Sequence, residues 1–293
     1  MSLKSTYHSE CKLCNSNKVS NFIIANDYRL HTSKNDFILN LCENCKFIYQ
    51  DIIEPQGYLY NSNFFNKIDI LTKINYFFWK KKIKKIKHNF FNNKDIKILD
   101  YGCGNGELVK FLSKNYEIIG YDPHGSFKKN DKYLFNDINK IIHFKYDLII
   151  LSHTLEHIVN FEEEFKNLTN LLNKNGLVLF EIPTLNCSEF KIYKKHFFHL
   201  DLPRHINFFN KKNIELIFNK YLFTKIEINN GITLLLAPFS PIKSLLFLIN
   251  SKNISKLKKI LFILVTPFLF ILLFFLNIGK ISNPYFGGIF KKN

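Results

Sequence analysis

The sequence predicts an α/β fold built on a largely parallel sheet, and three observations carry that prediction. A short apolar run, Ile96, Ile98 and Leu99, ends at Asp100 and suits a strand buried on both faces. A glycine turn follows, with Gly102, Gly104 and Gly106 alternating, and Leu108, Val109, Phe111 and Leu112 then recur at helical spacing. Beyond them, apolar strand-like runs keep alternating with helical patterns as far as residue 236.

Ahead of this core stand Cys11, Cys14, Cys42 and Cys45, two C-x2-C pairs separated by 27 residues. No apolar leader precedes them, so a reducing, cytosolic compartment is expected, where such pairs hold metal rather than form disulfides. Four thiolates complete a tetrahedral Zn2+ shell, and a shell made wholly of protein is structural rather than catalytic. Residues 1–54 are thus expected to form a zinc-binding module, which Pro55 and Gly57 punctuate. Residues 55–95 form a helical lead-in, where Leu71, Ile74, Phe78, Ile83, Ile86 and Phe90 predict the buried stripe of an amphipathic helix. Its other face carries Lys80, Lys81, Lys82, Lys84, Lys85 and Lys87. That face reads either as simply solvated or as a contact with anionic lipid or a phosphorylated substrate.

The core proper is assigned to 96–238. Its second strand starts at Glu117 and ends at Asp122, 22 residues after Asp100. A carboxylate there can accept hydrogen bonds from both hydroxyls of a ribose lying across the strand ends, so a nucleoside is the first candidate ligand. A dinucleotide fingerprint would need a third glycine where Glu107 stands. The pattern D-x-G-x-G-x-G, set between strand and helix and followed by Y-D, instead resembles the first motifs of class I S-adenosylmethionine-dependent methyltransferases. The resemblance implies a Rossmann-like seven-stranded sheet in the order 3-2-1-4-5-7-6, with the last strand antiparallel. It implies S-adenosyl-L-methionine as cofactor, with contacts from Asp100, Gly102, Cys103, Gly104, Gly106, Asp122, Asp137 and His153. Helices ahead of the first strand commonly cover the cofactor in that family, which makes 58–79 part of a lid.

A short strand at 132–135 leads to Asp137, which reads equally as a polar group near the adenine, by the same resemblance, and as a helix cap. Residues 146–151 form the next apolar strand, followed by His153, Glu156 and His157. The letters H-x-x-E-H match an inverted zincin motif, yet only the two histidines would share a helical face and no third ligand follows. Some quinone methyltransferases carry a similar E-x-x-E-H cluster for a divalent ion, with a glutamate where this chain has His153; His157 reads as a capping or packing residue. Asn160 and Glu163 open a helix with Phe165, Leu168, Leu171 and Leu172 buried, and Asn175 and Gly176 stop it. Residues 176–182 are the fifth strand, closed by Pro183.

A long polar and aromatic insertion then reaches residue 210, and long insertions at strand ends tend to carry function. It holds His196, His199, Asp201, Pro203, Arg204, His205, Phe208 and Phe209. An imidazole can take up a proton near neutral pH, and aromatic rings can shape a sugar or alkyl site. The string D-x-P-R-H-x-x-F-F resembles the corresponding loop of zinc-containing methyltransferases that act on sugars, and of related surface-polysaccharide enzymes. That resemblance implies His205 as the base, although an acidic residue often precedes the histidine in that group, where this chain has Arg204. A helix at 210–218 and strands at 222–228 and 231–236 complete seven strands.

The tail, 239–293, contains 19 uncharged residues at 260–278, preceded by Lys256, Lys258 and Lys259. Such a run can span a bilayer, which needs ~20 apolar residues. Pro267 and the apolar run 245–249 also allow a hairpin lying in the interface, and a helix packed on the core is a third reading. Association with the cytosolic face of a membrane through 243–279 is the expectation. The formal charge of +17, from 41 basic and 24 acidic side chains, suits anionic lipid or nucleic acid. Heavy use of Lys, Asn, Ile and Phe also fits an AT-rich genome, and with no basic arm or RNA-binding signature nucleic acid is not an expected partner. Cys103 and Cys187 read as packing residues rather than nucleophiles. The function expected is methyl transfer from S-adenosylmethionine to a nucleotide- or lipid-linked sugar in surface-glycan assembly. A quinone or other apolar small molecule is the alternative acceptor, and a non-catalytic zinc-bearing membrane scaffold the alternative class.

Overall fold

The computed structural model describes residues 10–29, 35–50, 70–127, 131–232, 239–251, 265, 268 and 283–293. In chain order its elements are β1 (Val19–Asn26), β2 (Asp36–Cys42), β3 (Ile48–Gln50), α1 (Ile70–Phe91), β4 (Lys97–Tyr101), α2 (Glu107–Leu112), β5 (Glu117–Tyr121) and β6 (Leu134–Phe135). Next come β7 (Tyr146–Ser152), α3 (Phe161–Leu171), β8 (Leu172–Pro183), α4 (Ser188–Tyr193), β9 (Asn207–Phe208), α5 (Lys211–Lys220), β10 (Phe223–Asn230), α6 (Phe239–Ser251) and β11 (Tyr285–Lys292). Two compact units result, each assembled from separated stretches: 1–59, 183–213 and 233–285 in the first, and 60–182, 214–232 and 286–293 in the second.

The second unit holds a seven-stranded sheet in the order β10-β11-β8-β7-β4-β5-β6, the Rossmann-like order that the resemblance implied, read from the opposite edge. Strands β4 to β8 pair in parallel, and β10 runs antiparallel to β11. Leu148, Ile149, Ile150 and Leu151 are wholly inaccessible, as expected of a central strand covered on both faces. Asn160 caps α3 by accepting from the N–H groups of Glu162 and Glu163, and the stripe Phe165, Leu168 and Leu171 is buried. That helix ends at Leu171, however, and Asn175 and Gly176 lie inside β8. There they accompany a register shift against β7 rather than stop a helix.

The strand that completes the sheet is not the expected one. Residues 233–238 lie outside the described residues, and the place between β8 and β10 is taken by β11, from the far C-terminus. Phe286, Ile289 and Phe290 are buried there, and the Phe290 ring stacks on Phe218 with centroids 4.1 Å apart. Gly287 fits because the backbones approach closely, since a Cβ at that position would sit 2.5 Å from the Phe180 carbonyl oxygen. Helix α6 is likewise part of the fold, with Leu245 and Ile249 packed in the first unit's core beside Phe190 and Phe197. Residues 239–251 and 283–293 therefore do not form a detached tail.

Helix α1 also turns differently from the expected stripe. Its buried positions are Asn75, Trp79, Ile83 and Ile86, at steps of four, four and three, whereas Ile74 and Phe90 are 37% and 42% exposed. The expected set ran at steps of three, four and five, and the step of five carried it off one face. Of the expected lid, residues 58–69 lie outside the described residues.

The first unit contains an antiparallel sheet in the order β1-β2-β3-β9. The cysteine-bearing strands thus share a sheet with the insertion that follows β8. Tyr49 pairs with Asn207, Ile48 with Phe208, and Ala25, Phe37, Leu39, Phe190, Phe197 and Leu202 fill one core. Among the described residues no helix is long and apolar enough to cross a membrane, and the run at 260–278 lies almost entirely outside them.

If β11 completes the core sheet, Phe290→Ala should lower the unfolding free energy by ~3–5 kcal/mol, the usual cost of emptying a buried phenylalanine site. Denaturant unfolding monitored by circular dichroism measures this, and a change below ~1 kcal/mol would argue against a core role for the strand.

Candidate functional site

In the second unit, parallel pairing aligns Asp100 with Gly120 and Tyr101 with Tyr121 at the ends of β4 and β5. The chain then turns over the end of β5, where the N–H groups of Gly102 and Cys103 both donate to the Tyr121 carbonyl, at 2.7 and 3.1 Å. Gly102, Gly104 and Gly106 all have positive φ, at 84°, 58° and 75°. At Gly102 a Cβ would also lie 2.6 Å from the Thr154 side chain, so two separate reasons exclude a larger residue.

The Asp122 carboxylate is fixed by two backbone donors, Gly104 N–H to Oδ2 and His124 N–H to Oδ1, each at 2.9 Å. Each oxygen keeps a further lone pair, so the group can still accept from a pair of vicinal hydroxyls. Burial raises the Asp122 pKa, opposed by the His124 and Gly104 N–H groups. Asp100 is 2% exposed, and its Oδ1 has no hydrogen-bond partner among the described residues. Burial pushes its carboxyl up to about 7, with the Asp122 charge adding to the effect. An orphaned buried carboxyl beside an anchored one suits a ligand that brings both a cationic group and a ribose.

Burial raises the Cys103 thiol pKa strongly, so it is neutral, and its Sγ lies 2.7 Å from where a Gly120 Cβ would be. It packs the turn. Asp137 caps the turn 138–140 through the Asn139 N–H at 3.0 Å, which realises the capping alternative. His153 has a positive φ of 56° directly after β7, and its N–H donates to the Glu181 carbonyl at 2.9 Å. Its Nδ1 is 3.2 Å from Glu156 Oε1, and its Nε2 is 3.9 Å from Glu181 Oε1. Both carboxylates are buried, and Glu181 was not identifiable from the sequence because it sits inside an apolar strand.

In the first unit, the Sγ atoms of Cys11 and Cys45 are 3.7 Å apart and those of Cys14 and Cys42 are 3.6 Å apart. All four sulfurs lie within 4.8 Å of one another. These are not disulfide distances. A tetrahedral ion with metal–sulfur bonds of ~2.3 Å sets sulfurs ~3.8 Å apart, so the donor set and its spacing fit such an ion. The Cys45 N–H and the Asn44 side-chain amide point at Cys42 and Cys14 sulfurs, at 3.5 and 3.7 Å, as suits thiolate ligands.

The second cysteine knuckle is tied to the stretch that follows His205. The Asn213 amide donates to the Cys45 carbonyl at 2.8 Å, and the Gln50 N–H donates to the Ile206 carbonyl at 2.8 Å. His205 itself places Nδ1 2.9 Å from the His199 carbonyl. A carbonyl only accepts, so Nδ1 carries the proton and Nε2 holds the lone pair of the neutral ring. Nε2 is 3.8 Å from Asp201 Oδ2.

Arg204, unexpected before the histidine, is fully buried in an ion network. Its Nε and Nη2 donate to Asp201 Oδ1 at 3.0 and 2.6 Å, and Nη2 donates to Asp27 Oδ1 at 3.0 Å. Arg29 adds a second cation to Asp201. Burial by itself would raise the Asp201 pKa, but Arg29, His205 and Arg204 hold it well below the usual carboxylate range. Asp27 and Arg29 escaped the sequence reading because more than 170 residues separate each from its partner, at |i−j| of 177 and 172.

A family model described as "Methyltransferase domain" matches residues 75–228, just over half of the chain. The ubiquinone biosynthesis O-methyltransferase of Rickettsia typhi is 30% identical over 140 residues, 42% of this chain and 56% of the relative. That of Rickettsia prowazekii is 29% identical over 140 residues, again 42% of this chain and 55% of the relative. The chain thus spans about half the length of the curated relatives it matches. A solved SAM-dependent methyltransferase from Archaeoglobus fulgidus aligns with a TM-score of 0.41 and 16% identity, over 76% of this chain and all of that one.

The Asp100 carboxyl yields a pH prediction. Its folded pKa of about 7 lies above the unfolded value of ~3.9, so ionisation is disfavoured in the fold and the unliganded protein loses stability as pH rises between those values. The stability advantage of Asp100→Asn over the parent should therefore grow from pH 4 to 7 and level off above, reaching on the order of a few kcal/mol. Thermal unfolding of both proteins across that range measures it; an advantage independent of pH would contradict the raised value.

Proposed function

Because the chain belongs to the methyltransferase domain family, we propose that it transfers a methyl group from S-adenosylmethionine to a small-molecule acceptor. The observation that carries this reading is the Asp122 carboxylate, anchored by Gly104 and His124 beyond the glycine turn. In this reading Asp122 accepts from the ribose hydroxyls, Gly102 and Gly104 bring bare backbone to the ligand, and Asp100 answers its positive charge. When bound, S-adenosylmethionine supplies a methyl group made electrophilic by its sulfonium. The protein's own contribution is then alignment of the acceptor and removal of its proton.

For the proton, His205 is the group we assign. The His199 carbonyl fixes the tautomer that leaves Nε2 basic, and Asp201 stands close enough to favour the imidazolium formed when that nitrogen is protonated. The acceptor we favour is a nucleotide- or lipid-linked sugar, on the strength of the D-x-P-R-H-x-x-F-F loop. A quinone is the second reading, favoured by the names of the Rickettsia relatives. The four cysteines would hold one Zn2+ in a structural role, since four protein ligands leave no open position. Through β3 and β9 that ion would stiffen the stretch just after His205.

Asp122→Ala should weaken S-adenosylmethionine binding by the ~1.5–3 kcal/mol typical of a charged hydrogen bond, roughly 10- to 150-fold in Kd by calorimetry. Unchanged affinity in a folded variant would reject the ribose assignment. Metal analysis of freshly purified protein should find one zinc per chain. Cys42→Ser should release it and speed hydrogen exchange in 206–213 as well as in the knuckles; a metal-free parent protein would defeat this part of the proposal. With sugar-nucleotide and quinone acceptors tested in parallel, His205→Asn should cut turnover by about 10²–10⁴ and leave cofactor affinity nearly intact. The parent's rate should also fall toward acid pH as the imidazole takes up a proton. Full turnover by the variant would remove His205 from the mechanism.

A further inference from the structure

Helix α1 has a composition that its packing does not explain. Over its 22 residues it carries seven lysines and no acidic residue. Trp79, Ile83 and Ile86 point into the core of the second unit. Lys82 and Lys87 are paired with Glu227 and Asp95. Among the described residues Lys73, Lys80, Lys84 and Lys85 have no carboxylate partner, and Lys81 lies over the Phe77 ring at 4.8 Å.

Most of the exposed positions are ordered rather than scattered. Of nine exposed among the described residues of the helix, six (Ile74, Phe77, Lys81, Lys84, Lys85 and His88) fall at ~100° per residue in a stripe about 100° wide, and Lys73, Asn89 and Phe90 lie outside it. Its N-terminal end is apolar, with Ile74 37% and Phe77 48% exposed, and Lys81, Lys84 and Lys85 follow. Lys80 with Lys84, and Lys81 with Lys85, are like charges one turn apart, an arrangement that disfavours the helix by itself. A merely solvated helix relieves that repulsion by interleaving acids, and this one has none.

From this stripe we propose that the outer face of α1 docks on an anionic phospholipid surface. The lysines would lie among the headgroup phosphates while Phe77 and Ile74 enter the boundary with the acyl chains, which is the division of labour of an interfacial helix. A nucleic acid would satisfy the lysines but offers nothing to an exposed isoleucine, and only bases to the phenylalanine. The sequence adds an independent pointer to lipid, since the 19 uncharged residues at 260–278 follow Lys256, Lys258 and Lys259. The inference concerns a surface apart from the cofactor turn and does not rest on the methyl-transfer reading.

The test uses the full-length protein and vesicles of phosphatidylcholine alone or with 30 mol% phosphatidylglycerol, separated by sedimentation. The parent should bind the anionic vesicles more strongly and lose that increment as salt is raised. A lysine near a charged surface contributes about five-fold in affinity, so Lys81→Glu/Lys84→Glu/Lys85→Glu should cut the anionic increment at least 100-fold. A milder Lys84→Gln/Lys85→Gln should cut it roughly 25-fold, and Phe77→Ser should weaken binding at high salt, where the apolar part remains. Circular dichroism and the thermal midpoint check that each variant is folded. Equal binding by parent and triple variant, or binding indifferent to phosphatidylglycerol, would overturn the proposal. Tight binding to a single-stranded oligonucleotide, abolished by the triple variant and unmatched by any vesicle binding, would overturn it in favour of nucleic acid.

Discussion

Two carboxylates forced together by parallel pairing govern the second unit. With Asp100 in register with Gly120, and the chain bending over β5 through the Tyr121 carbonyl, Asp100 and Asp122 must share one end of the sheet. Both cannot be charged there cheaply while buried, and the outcome is divided between them. Asp122 takes two backbone N–H bonds and stays the better anion, while Asp100 has an oxygen without a partner and tends to keep its proton. The pair is thus incomplete without a cation, and the glycine turn beside it exposes main chain rather than side chains. The bare backbone of the turn and the electrostatic imbalance beside it point to the same class of ligand.

A different constraint orders the first unit. The loop that carries His205 has little regular structure of its own, and it is held at both ends by contacts distant in sequence. At one end Arg204 and Asp201 join Asp27 and Arg29 from the stretch after β1. At the other, β9 pairs with β3, and Asn213 reaches the Cys45 carbonyl. Two acids and two arginines leave the buried cluster close to neutral, which limits the cost of keeping charges out of water. Such a network is a weak source of net stability compared with apolar packing, but it fixes geometry. The geometry it fixes is that of the loop around His205.

The sequence made legible whatever depends on neighbours in the chain. The strand, turn and helix from Ile96 to Leu112 and the cap at Asn160 are local patterns that stand as expected, and the two cysteine pairs come together as their C-x2-C spacing suggested. The sheet order came from resemblance rather than from periodicity. What stayed hidden is non-local. Asp27 and Arg29 carry no signal until folding brings Asp201 and Arg204 to them. Strand β11 carries little local signal, since its short apolar run at Phe286 to Phe290 lies in a tail whose hydrophobicity 260–278 dominates, and the sequence placed the last strand at 231–236 instead. On α1 the abundance of Ile and Phe made several stripes plausible, and Trp79 decided which one faces inward.

The position of β11 also bears on how the tail can meet a bilayer. Upstream of the uncharged run, α6 packs into the first unit, where Ser244 accepts from the Phe198 N–H and Lys243 lies over the Phe198 ring. Downstream, the Pro284 carbonyl accepts from the Thr184 N–H, and the Tyr285 ring meets His199 at 4.7 Å. Phe198 and His199 are adjacent, so the residues flanking the run on both sides are fastened to one spot of a single folded unit. One crossing of a bilayer would carry those flanks to opposite faces, ~30 Å apart across the hydrocarbon alone. A single crossing is therefore incompatible with both flanks staying fastened where they are.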